Sequence, residues 1–156
     1  MQVKIFIVLL IGLIIVSCDE DSKVENEIAK IEADFTVERF DRAFLKATSR
    51  DLPDLKQAYP FLFSKLVSDS VWINRINDTL RNELLTEVNK TFPELKNTKE
   101  ELKGLFQHLK YYDKTFAAPR VITLTNDVGY RTKTIVTDSL VLIALDNFLG
   151  SEHVFY

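Results

Sequence analysis

The sequence predicts an α+β fold in which an N-terminal helical segment precedes a three-stranded β-meander. Three observations carry this expectation. Apolar residues between about Asp34 and Asp113 recur at helical spacing, the chain after Pro119 becomes β-branched and alternating, and Asn126-Asp127-Val128-Gly129 is a turn signal between two of the β runs.

The helical part opens on an aromatic stripe, Phe35, Val37, Phe40 and Phe44. Asp51-Leu52-Pro53 reads as a helix start, with Asp51 as N-cap and proline in the first turn. Pro60 interrupts, and Phe61, Leu62, Phe63, Leu66 and Val67 form a short apolar piece. A second stripe, Leu80, Leu84, Leu85 and Val88, follows Asp78 and Thr79, either of which could cap it. Thr98-Lys99-Glu100-Glu101 is a capping box ahead of the most regular helix, whose stripe is Leu102, Leu105, Phe106, Leu109 and Tyr112. All these stripes are expected to be core rather than docking faces.

Val121 to Thr125 is the first predicted strand, and Tyr130 to Thr137 alternates as a second. After the break at Asp138-Ser139, Leu140 to Leu145 is unbroken apolar sequence, the pattern of a strand covered on both faces. Only Asp146 to Tyr156 remains to cover it. Either the meander packs between helix layers already present, or the chain stops before its fold is complete; the second is the expectation.

The N-terminus carries an address. Lys4 precedes Ile5 to Val16, an apolar run shorter than the ~20 residues of a membrane-spanning helix. It has the form of a secretory signal, and Ile15-Val16-Ser17-Cys18 resembles the bacterial lipobox, in which the cysteine is lipidated before cleavage. The alternative is an ordinary signal or an uncleaved anchor with a chance cysteine. The expected organisation is a lipoprotein signal peptide over residues 1–17, an acidic tether over 18–33 and a folded part over 34–156. Several acyl chains on Cys18 would hold the protein at a membrane without a transmembrane helix.

Composition narrows the function classes. With 20 basic residues against 23 acidic ones and no basic block, nucleic acid is not the expected partner. A single cysteine excludes an intramolecular disulfide and a cysteine-based structural zinc site. The two histidines, His108 and His153, lack HExxH or HxH spacing. His108 is expected at the boundary of its helix's apolar stripe. Gly150-Ser151-Glu152-His153 lacks the G-x-S-x-G elbow and reads as a loop. No catalytic residue, metal ligand or cofactor site is therefore expected within this chain.

Several blocks together resemble the gliding-motility lipoprotein GldB family of Bacteroidota. They are Glu38-Arg39-Phe40-Asp41-Arg42-Ala43-Phe44, Tyr59-Pro60-Phe61-Leu62-Phe63 and Val71-Trp72-Ile73-Asn74-Arg75-Ile76-Asn77-Asp78-Thr79-Leu80. Glu87-Val88, Phe92-Pro93, His108 to Tyr112 and Asp138 to Gly150 continue the series in order. The resemblance implies a lipid-anchored (palmitate-bearing) cell-envelope protein with Cys18 as its lipid-attachment site; the outer membrane is expected ahead of the inner, with the leaflet left open. It further implies a role in gliding, linked to type IX secretion and exercised through contacts with other machinery proteins rather than catalysis. Family members are about twice this long and resemble zincin-like metallopeptidases, so a truncated zincin-like domain is the alternative implication. Within Trp72-Ile73-Asn74-Arg75, a buried tryptophan and a capping or turn-forming Asn74 are expected.

Overall fold

A computed structural model describes residues 19–156. Cys18 and the expected signal peptide lie outside the described residues. The described chain forms two units: one of residues up to Asp34 with Glu100–Ala118, the other of Phe35–Lys99 with Pro119–Tyr156.

In the first unit, helix α1 (Asp19–Ile28) lies in the stretch expected to be a tether. It is held to the later part of α6 (Lys96–Tyr112), mainly by polar groups. The Gln107 amide donates to the carbonyls of Ala29 (3.2 Å) and Ile31 (2.8 Å), and Lys110 donates to that of Glu32 (3.0 Å). Apolar support comes from buried Ile28 and from Phe106, whose ring lies 5.7 Å from that of Phe116.

The second unit contains a four-stranded sheet of order β1-β2-β4-β3, formed by Val37–Arg39, Arg120–Leu124, Leu140–Ala144 and Thr134–Val136 respectively. The α+β class holds, but the meander does not. Strands β1, β2 and β4 are parallel, in register Val37↔Val121 and Val121↔Val141, and only β3 runs antiparallel, against β4. Strand β4 therefore lies inside the sheet, between β2 and β3, with Val141 and Ala144 buried and its other residues half-buried. Two expectations failed around the sheet. Val37 belongs to β1 rather than to a helix, because three residues are too few to show a period. Tyr130–Thr132 is a 3₁₀ turn rather than strand, because Asn126 binds this stretch into a compact loop.

Five helices contribute to this unit: α2 (Phe40–Lys46), α3 (Leu52–Ala58), α4 (Asp69–Ile76), α5 (Thr79–Thr91) and the first residues of α6. Asp78 caps α5, its carboxylate accepting from the Arg81 N–H at 2.9 Å. Asp51 occupies the N-cap of α3, but its carboxylate turns back to the N–H and hydroxyl of Thr48 (both 2.7 Å). Helix α6 starts at Lys96, so Thr98 lies in its first turn instead of capping it. Asn74 is exposed within α4 rather than at a cap or turn. One core cluster gathers Phe44, Leu52, Leu55, Phe63, Ile76 and Leu85, and a second gathers Val88, Leu95 and Leu145.

The junction of β1 and α2 is fixed by ionic groups. Asp41 is fully buried, and its carboxylate accepts from Arg39 at 2.7–3.1 Å and from the Thr123 hydroxyl on β2. Arg39 also donates to the Phe92 carbonyl at 2.9 Å, and Arg42 to Asn89 (2.7 Å) and the Pro93 carbonyl. These bonds tie the start of α2 to the central strand and to the end of α5, where helix carbonyls lack internal partners. Glu38 meets Arg120 through two bonds of 2.9 Å. Removing one member of a buried ion pair costs more than the pair contributes, because the other charge stays buried and unpaired. Asp41→Ala is expected to lower stability by about 3–5 kcal/mol in urea unfolding, against about 1–2 kcal/mol for Thr123→Val. Equal small losses would show that Asp41 is not the tie.

Candidate functional site

The carboxyl ends of parallel strands are where α/β sheets place ligands, because the chain there diverges into separate connections. Here the ends of β1 and β2 open on a cavity of about 310 Å³, reached by Asp41 from the first and by Leu124 and Thr125 from the second. Its apolar wall is Phe40, Phe44, Leu62 and Trp72, and Arg75 and Arg81 add positive charge.

Trp72 and Arg75 are three residues apart on α4 and so share a face. The Arg75 guanidinium lies 4.7 Å from the centre of the indole ring, a cation–π contact. Among the described residues, no carboxylate forms an ion pair with Arg75, whereas Arg81 pairs with Asp127 and Asp41 with Arg39. The indole N–H of Trp72 is buried with no hydrogen-bond partner among the described residues. Such a donor costs about 1–3 kcal/mol unless something accepts from it.

The third wall is the loop after β2, which is strained. Asp127 and Val128 have φ of 57° and 58°, a left-handed conformation that aspartate tolerates and a β-branched residue rarely adopts. Asp146, fully buried in the 3₁₀ turn after β4, holds them there. Its carboxylate accepts from the N–H of Val128 (2.7 Å) and of Asn126 (3.1 Å). Asn126 closes the loop by donating to the carbonyl of Gly129 and the hydroxyl of Thr132, each at 2.9 Å. A Cβ on Gly129 would lie 3.1 Å from the Asn126 carbonyl oxygen, a tight approach that the loop would have to relieve by a small shift. Burial pushes the Asp146 carboxyl above the usual aspartate range, and the backbone N–H groups offset only part of that rise.

The residues considered for chemistry from the sequence lie elsewhere. His108 bonds the Gly104 carbonyl at 2.7 Å and the Glu25 carboxylate at 3.3 Å, which places it at the edge of the α6 stripe. His153 stacks on Phe155 at 5.7 Å, while the Ser151 hydroxyl donates to Glu152. Gly150 to His153 is thus a turn and not a nucleophile with its base. No three His, Cys, Asp or Glu side chains among the described residues converge as metal ligands, and no helix among them is long and apolar enough to cross a membrane. In the sequence the Trp72–Arg75 block stands out without a role, Asp127 reads only as part of a turn, and nothing marks Arg81 or Asp146 as part of a site. The three-residue Trp–Arg spacing was the available signal.

Two carboxyls give stability opposite slopes with pH. Asp146, raised by burial, keeps its proton above the unfolded value of about 3.9, so its contribution falls as pH rises through the window just above that value. Glu38, lowered chiefly by its hydrogen bond from Arg120, contributes above about pH 4.3 and loses that contribution as pH falls. Urea midpoints from about pH 3 to pH 7 should decline less on the neutral side for Asp146→Asn and less on the acid side for Glu38→Gln. Wild-type slopes in either variant would remove that residue from the account. Val128→Gly, which relieves the left-handed valine, should raise stability by up to about 1 kcal/mol, whereas a loss would show that the conformation is not strained.

No curated protein and no solved structure matches the chain. Residues 21–156 match the family described as gliding motility protein GldB, which takes in both described units and every wall of the cavity. By that match the chain belongs to the GldB family of gliding motility proteins.

Proposed function

We propose that this protein is a lipid-anchored component of the cell envelope that supports gliding through contacts with other proteins of the motility and type IX secretion machinery, without catalysing a reaction. The observation that carries this reading is the family match over residues 21–156, which begins three residues after the lipobox cysteine, Cys18. Surface chemistry supports the contact role. Leu105, Leu109 and Tyr112 lie along one face of α6 and are 52%, 40% and 75% exposed. Edge strand β3 is exposed at all three of its residues, Ile135 and Val136 included. Exposed apolar residues grouped on one element, unlike scattered ones, mark interaction surfaces.

Deleting the gene in a gliding parent strain should abolish colony spreading on agar, with the wild-type gene restoring it. Cys18→Ala should shift the protein out of the membrane fraction and impair spreading. Normal spreading in the deletion strain would falsify the motility role. Stoichiometric zinc in the purified protein, lost on substitution of His108 or His153, would overturn the noncatalytic reading.

A further inference from the structure

We infer that the cavity at the ends of β1 and β2 receives the C-terminal residue of a partner polypeptide, with its α-carboxylate on Arg75 and its apolar side chain against Phe40, Leu62 and Trp72. The inference rests on the protein-contact reading only for the source of the ligand.

Size, charge and wall chemistry each narrow the ligand. About 310 Å³ is at the small end of ligand sites, which run from ~300 to ~1,000 Å³, so the space suits a residue rather than a nucleotide or an extended cofactor. The wall carries two arginines and two aspartates, but three of these charges are already engaged. Asp41 pairs with Arg39, and Arg81 pairs with Asp127. Arg75 is left as one uncompensated positive charge beside an aromatic ring. A monoanion completes that balance, whereas a phosphate's second charge would face the carboxylate of Asp127.

A guanidinium fork matches a planar carboxylate, and an aromatic floor matches an apolar body attached to it. An aspartate or glutamate side chain would supply the anion and leave the apolar wall unfilled. A C-terminal apolar residue carries both groups on one Cα.

Trp72 is the only tryptophan of the chain, so its fluorescence reports on the cavity directly. The full chain in detergent should be titrated with acetyl-Gly-Gly-Phe as the free acid, with its C-terminal amide, and with hydrocinnamate. The free-acid peptide is expected to change the emission saturably, and the amide to bind at least about tenfold more weakly. Arg75→Gln should weaken the acid by a similar factor while leaving the urea midpoint in place. Leu62→Phe, which fills the cavity, should do the same should Arg75→Gln fail to fold. Equal binding of acid and amide, undiminished binding to either variant, or no response to the acid peptide would overturn the site. Binding of hydrocinnamate without the peptide would overturn the polypeptide source. Normal spreading of the deletion strain would leave these titrations unaffected, so the two readings fail separately.

Discussion

The second unit depends on one buried carboxylate. Asp41 lies in the first turn of a seven-residue helix that follows directly on a three-residue strand, both too short to be stable alone. Two groups draw it inward: the Arg39 fork from its own segment and the Thr123 hydroxyl from the most buried strand. A buried ion pair is seldom a net gain over apolar packing, so its value lies in excluding alternatives. A one-residue slip of β1 along β2 would separate Asp41 from Thr123 and leave a carboxylate in the interior without its full set of donors. The interaction thereby fixes a parallel register that three residue pairs could not enforce by themselves.

The cavity follows from this constraint. Because β1 and β2 are held in register, Phe40 and Leu124 emerge at the same end of the sheet and both line the cavity. Buried charge also governs the opposite side. Asp146 gives up solvation to hold the N–H groups of Asn126 and Val128, and the left-handed pair Asp127–Val128 brings Asp127 to Arg81. Each aspartate performs a positioning task that no apolar residue could, and each is destabilised as an isolated group by its burial. Strain and buried charge concentrated around one opening are the expected signature of a site maintained for binding rather than for stability.

How far the sequence reveals this depends on the range of the forces involved. The cap at Asp78, the helix that starts at Asp51-Leu52-Pro53 and the turn at Asn126–Gly129 depend on near neighbours in the chain, and they were readable there. Strand β1 and the order β1-β2-β4-β3 were not, because parallel pairing joins β1 to β2 across more than eighty positions and β2 to β4 across twenty, and leaves no local period. The apolar run Leu140–Leu145 did report an interior strand, but it could not say which neighbours would cover it. Within the site, Trp72 and Arg75 were visible as a pair on a helix face. The roles of Asp41 and Asp146 became apparent only with their partners, Thr123 and Val128, since a carboxylate's burial is a property of the fold.

Helix α6 shows why a periodic stripe is an incomplete guide to a core. Phe106 of that stripe is buried, yet Leu105, Leu109 and Tyr112 are exposed, while His108 and Tyr111 bond Glu25 and Glu27 of α1, and Gln107 and Lys110 bond the segment just after it. The helix is thus held within its unit mainly by hydrogen bonds and presents apolar side chains outward, the reverse of a solvated amphipathic helix. Apolar spacing at i, i+4 and i+7 records that one face avoids water, not whether the cover comes from the same chain. Hydrogen bonds to the carbonyls of Ala29, Ile31 and Glu32 engage the polar side of α6, while Leu105 and Leu109 stay 52% and 40% exposed. That choice sacrifices burial, the largest favourable term available to a small unit, and it has a compensating physical rationale when a second protein supplies the missing surface.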